Sequence, residues 1–138
     1  MYKQVAPKKA MQCVKEIMEW LLKHDIESGV CIYVCGKRYS FYKTNAAARL
    51  VWSGCNGLQE NVGIWVEDNV DPRRYFEYVA NDHFVSMSFE GPLYEILNFY
   101  GDFADYDARR VDEFDAILKK YGYYYELGNS WNLSCYKI

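Results

Sequence analysis

A chain of 138 residues, 51% of them hydrophobic and 18% aromatic, can bury one sizeable core; this composition excludes a disordered chain and leads us to expect a single domain over 1–138. A formal net charge of -3 speaks against a general nucleic-acid binder, which needs clustered Lys and Arg for phosphate contacts, and suits a basic protein partner better. No run reaches the ~20 apolar residues that span a bilayer, and no charged start precedes an apolar leader, so a cytoplasmic chain without membrane contact is expected.

Taken in chain order, the first element is an amphipathic helix opening at Pro7 and running to about Lys23, with Ala10, Val14, Ile17, Met18, Leu21 and Leu22 at spacings of three and four. Val30 to Val34 and Arg38 to Tyr42 are β-rich runs around Cys35, Gly36 and Lys37, the pattern of a hairpin. From Thr44 to Asn61 the pattern is mixed: Asn45 can cap a short helix through Ala46, Ala47, Ala48 and Leu50, which Gly54 and Gly57 then break. Val62 to Glu67 reads as a third strand, and Asp71 with Pro72 as the cap and first residue of a helical turn carrying Tyr75, Phe76 and Val79. Phe84 to Phe89 alternates, with Val85, Met87 and Phe89 on one face and Phe84, Ser86 and Ser88 on the other, as in a sheet covered on one side. After Gly91 and Pro92, helical spacing through Leu93, Ile96, Leu97 and Tyr100 ends at Gly101. A longer helix from about Asp107 to Tyr121 turns Val111, Phe114, Ile117 and Leu118 inward, with Gly122 at its end. Tyr123 to Leu127 and Trp131 to Ile138 form a closing hairpin around Gly128, Asn129 and Ser130. The sum is an α+β fold: an antiparallel sheet of about five or six strands with two main helices packed on one face.

Cys13, Cys31, Cys35, Cys55 and Cys135 lack the paired spacings of a zinc site and read as reduced thiols. The sharpest enzymatic idea is a Cys55 thiolate in the loop Ser53, Gly54, Cys55, Asn56, Gly57, with His83 beside Asp82 as its base in preference to His24. No zinc ligand set, calcium loop or phosphate-cradling glycine loop is present in the sequence, so no metal and no cofactor is expected. Asp102, Asp105, Asp107, Asp112, Glu113 and Asp115 concentrate negative charge, relieved only by Arg109 and Arg110. They read either as favourable charges at a helix start or as a negative surface for a basic partner, which Glu67, Asp68 and Asp71 would extend if the fold brought them near. Arg73 with Arg74 and Arg109 with Arg110 are candidate anion-binding residues, since paired arginines beside aromatics can clamp a phosphate; surface ion pairs with neighbouring carboxylates are the other reading.

The segments Gly36 to Tyr42, Ser86 to Glu95 and Tyr123 to Tyr136 resemble small uncharacterised proteins of prophages and integrative elements in intestinal Firmicutes. That resemblance implies a setting in which short proteins disarm host defences by binding them or by sequestering their nucleotide signals. Acidity, aromatic excess and missing catalytic motifs then lead to the expectation of a non-enzymatic binding protein of the anti-CRISPR type. It would block a nucleic-acid-binding effector through an acidic, aromatic-rich surface, without touching nucleic acid itself. An immunity protein for a basic toxin predicts the same surface. A homo-oligomeric binder of small nucleotides, with pockets lined by Arg and Tyr, and a thiol-dependent enzyme are the remaining alternatives.

Overall fold

The computed structural model describes residues 7–43, 62–75, 85–98 and 104–138. The expected short helix after Asn45 and the loop holding Cys55 lie outside these residues, as do Phe76, Val79, His83, Phe84, Tyr100, Gly101 and Asp102.

Helix α1 (Pro7–Lys23) has the expected bounds and buries Ala10, Cys13, Val14, Ile17, Met18 and Leu21 along one side. Its end is closed by Asp25, whose φ of 56 takes the left-handed place that glycine usually fills. The Ile26 N–H donates to the Leu21 carbonyl at 3.0 Å and the Asp25 N–H to the Leu22 carbonyl at 3.3 Å, a Schellman closure that sets His24 at the last helical step. Strands β1 (Val30–Val34) and β2 (Lys37–Lys43) form the expected hairpin. Its two turn residues, Cys35 at φ 51 and Gly36 at φ 76, are both left-handed, which matches the twist of the flanking strands.

β3 (Val62–Glu67) is followed by a 3-10 turn, Pro72–Arg74, in which the Asp71 carboxylate accepts from the Arg73 N–H at 2.9 Å. β4 (Val85–Phe89) leads into α2 (Gly91–Asn98). α3 spans Ala104–Lys120 and so begins ahead of the expected Asp107. Asp105 and Asp107 thereby stand in its first turn, where the helix end favours negative charge. In the closing hairpin β5 (Tyr123–Asn129) runs through the expected turn to meet β6 (Asn132–Lys137). The Asn129 side-chain oxygen accepts from the Trp131 N–H at 3.1 Å and the Asn132 amide at 2.8 Å, which moves the turn to Ser130 and Trp131. The register slip is absorbed by an irregularity between Leu127 and Asn129.

Among the described residues the strands form one six-stranded antiparallel sheet in the order β3-β2-β1-β4-β6-β5. Alternation sends Val30, Ile32 and Val34, Tyr39, Ile64, Val85, Met87 and Phe89, Leu133 and Cys135 to one face, where residues of all three helices join them in a single core. On the second face, register aligns Glu67, Arg38, Tyr33, Ser86, Ser134 and Glu126 in one row across the sheet. The centre of this face is not the wet surface that the alternation of Ser86 and Ser88 suggests, for Ser86, Ser134 and Asn132 are fully buried. Part of the cover is local: Val70 packs on Tyr33, and the Tyr75 ring beside the 3-10 turn lies 5.7 Å from that of Tyr33.

Gly91 connects β4 to α2 at φ +64, and a Cβ placed there would meet the Ser28 carbonyl oxygen at 2.9 Å. Gly91→Ala is therefore expected to destabilise the fold by about 1–2 kcal/mol, read as a lower urea midpoint. Gly63→Ala provides the contrast. It is directly opposite Tyr42, whose ring covers it and can swing aside, so a smaller loss is expected there.

Candidate functional site

Helical phase divides the acidic segment. At ~100° per residue, Asp105 and Asp112 share the outer side of α3 with Arg109 and are exposed, with half-buried Asp115 at the border. Burial pushes the Asp115 carboxyl above its usual range, with Lys119 opposing. Asp107 points the other way and is only 5% exposed. Glu113 is committed to side-chain partners: it accepts from the Trp20 indole at 2.9 Å and from Arg110 Nη2 at 3.1 Å. The segment thus presents a smaller negative surface than its composition suggests. Glu67, Asp68 and Asp71 do not extend it, since β3 and β5 are opposite edges of the sheet and α3 packs on β5.

The two arginine pairs are also kept apart. Arg73 and Arg74 belong to the 3-10 turn on the second face, whereas Arg109 and Arg110 belong to α3 on the helix face. Arg73 is held by Asp71 through two parallel contacts, Nε to Oδ1 at 3.0 Å and Nη2 to Oδ2 at 2.8 Å, and Arg74 and Arg109 are exposed. Arg110 is buried and lies over the Tyr106 ring at 4.6 Å, with its Nη1 2.6 Å from His24 Nδ1. A guanidinium can only donate, so His24 Nδ1 must accept, and the ring proton sits on Nε2, which faces Glu113 Oε1 at 3.4 Å. Burial, and after it the Arg110 charge, hold the His24 pKa below its ordinary value. His24 is therefore a neutral joint between α1 and α3.

Among the described residues, the most exposed aromatic group lies beside Glu67, Asp68, Asp71 and the Arg73 and Arg74 pair, where the sequence suggests an acidic extension or an anion clamp rather than a cluster of exposed rings. Trp65 is 59% exposed, Tyr75 47% and Tyr42 45%, all on the β2–β3 side of the second face. Tyr42 and Trp65 meet edge to face at 6.3 Å, and the Arg38 guanidinium covers the Tyr75 ring at 4.8 Å. Each carboxylate of this corner has its own cation: Glu67 takes Arg38 Nε at 2.9 Å, Asp68 takes Lys37 at 3.2 Å, and Asp71 takes Arg73. The result is a corner rich in Trp, Tyr and Arg whose carboxylates are already paired. The sequence signal was the alternation of Arg38, Ser40, Tyr42 and of Gly63, Trp65, Glu67, which places both sets on one face once the strands pair.

The described thiols have the character of small apolar side chains. Burial pushes Cys13 up to about 12 and Cys135 well above its usual value, and it raises Cys31 and Cys35 as well. Among the described residues no group of His, Cys, Asp and Glu converges on a metal site, and no helix is long and apolar enough to cross a membrane. No known family model matches the chain, and no curated protein or solved structure does so either.

Proposed function

We propose that this protein acts by binding another protein, without catalysing a reaction, and that the aromatic corner formed by Tyr42, Trp65 and Tyr75 is its contact surface. The observation that carries this reading is the joint exposure of these rings around ion pairs that are already made. Trp, Tyr and Arg supply most of the energy at protein interfaces, and a carboxylate with its own cation need not be stripped of water unpaired when a partner docks. An anti-defence role against a nucleic-acid-binding effector, in keeping with the resemblance to mobile-element proteins, belongs to the same proposal. For that partner the exposed side of α3, with Asp105 and Asp112, is the competing surface.

Affinity capture from a Firmicute lysate separates the two surfaces. Tyr42→Ala/Trp65→Ala is expected to lose the captured partner, while Asp105→Asn/Asp112→Asn retains it and keeps it through a high-salt wash. Loss with the carboxylate variant alone, or release by salt, would move the contact to α3. A captured nucleotide without any protein would replace the proposal by the nucleotide-binding reading.

A further inference from the structure

A cavity of about 290 Å³ opens where the turn after α1 meets the first turns of α2 and α3. Its wall includes His24, Asp25, Glu95, Ile96, Tyr106 and Asp107. Asp25 and Glu95 are exposed and so stand toward solvent, Ile96 is buried, and no Lys or Arg belongs to this wall among the described residues. Asp107 is the telling member: it is 5% exposed, and its Oδ2 is closed off from water without a hydrogen-bond partner. Arg110, one turn away on α3, gives its guanidinium to His24 and Glu113 instead, and His24 is held neutral by its burial first and by the Arg110 charge after it. A buried carboxylate oxygen without a donor is strongly unfavourable, and native structures resolve it with a partner of opposite charge.

We propose that this cavity binds an organic cation bearing N–H donors, an alkylammonium or alkylguanidinium group. Its charge pairs with the Asp107 carboxylate, whose closed-off oxygen reaches it by a turn of the side chain toward the cavity, its alkyl part lies against Ile96, and Asp25 and Glu95 draw it in. The volume is at the lower end for small-molecule sites and suits a group the size of a lysine or arginine side chain. A bare metal ion fits less well, because the carboxylates here do not converge as a coordinating set. The cation can come as a free amine or as the side chain of a docked protein, and the chemistry that recognises it is the same. The site stands apart from the aromatic corner on the second face and does not depend on it.

Calorimetric titration of the whole chain tests this with three probes: agmatine, putrescine and N-acetyl-arginine amide. The expected result is saturable binding of at least one probe at a single site, weakened about tenfold or more by Asp107→Asn and unchanged by Asp105→Asn. Glu95→Gln at the mouth should give a smaller loss, so the site is still tested if Asp107→Asn disturbs the start of α3. Binding of agmatine or putrescine alone assigns the site to a free amine, and binding of the capped arginine alone assigns it to a protein side chain. No saturable binding of any probe, or equal binding by the Asp107→Asn and wild-type chains, overturns the proposal.

Discussion

Phe114→Ala is expected to lower the free energy of unfolding by about 3–5 kcal/mol, a large part of the stability of an ordinary domain. Phe114 is fully buried on the inward side of α3. Its ring stacks on Trp20 of α1 at 5.5 Å with an interplanar angle of 22° and packs against Tyr125 of β5 at 5.1 Å. One side chain therefore joins both long helices to an edge strand. Removing it opens a cavity that three separate elements would have to close together, and rigid helix-on-sheet packing resists such collapse. Urea unfolding followed by tryptophan emission measures the loss, and Trp20 beside the vacated space makes the signal sensitive to it. Ile17→Val, also fully buried but smaller in its change, is expected to cost about 0.5–1.5 kcal/mol. A loss below that range for Phe114→Ala would show that the core relaxes around the gap and that the contact is not central.

Phe114 illustrates what was legible in the sequence. Its inward place follows from the spacing of Val111, Phe114, Ile117 and Leu118 alone, because helical periodicity is a local property. The same phase, extended back through α3, would have placed Asp107 inside and Asp105 outside. Six carboxylates close together in sequence read instead as one set, since charge density alone carries no direction. The closing hairpin is legible but the place of its turn is not, because glycine and serine mark a turn region while the Asn129 side chain decides its register. The aromatic corner depends on β2 pairing with β3 across the segment 44–61, and no local pattern specifies that pairing. Arg110 meets His24 from 86 positions away, so their contact had no signature along the chain.

Arg110→Ala tests that long-range contact, and its expected cost is about 2–3 kcal/mol at pH 7.5, below the range for a fully buried pair because Glu113 is partly exposed. The variant strips Glu113 of its cation, removes the donor to His24 Nδ1 and uncovers the Tyr106 ring. The pH dependence identifies the cause. His24 has a folded pKa below its ordinary 6.5, set first by burial, then by Arg110 and more weakly by Lys23, with Glu113 opposing. Below 6.5 the unfolded chain takes up a proton more readily than the folded one. The stability held by neutral His24 is thus fully present above 6.5 and is lost as pH falls through 6.5 toward the lower folded value. Without Arg110 the second cause disappears while Glu113 stays, so the folded pKa rises and the acid loss shrinks. The stability gap between the two proteins should therefore be narrower at pH 5 than at pH 7.5, and the His24 ring resonances should titrate at higher pH in the variant. A gap that is constant or widens with acid, with an unmoved His24 titration, would mean that Arg110 acts through its packing on Tyr106 alone, and that the joint between α1 and α3 is apolar rather than electrostatic.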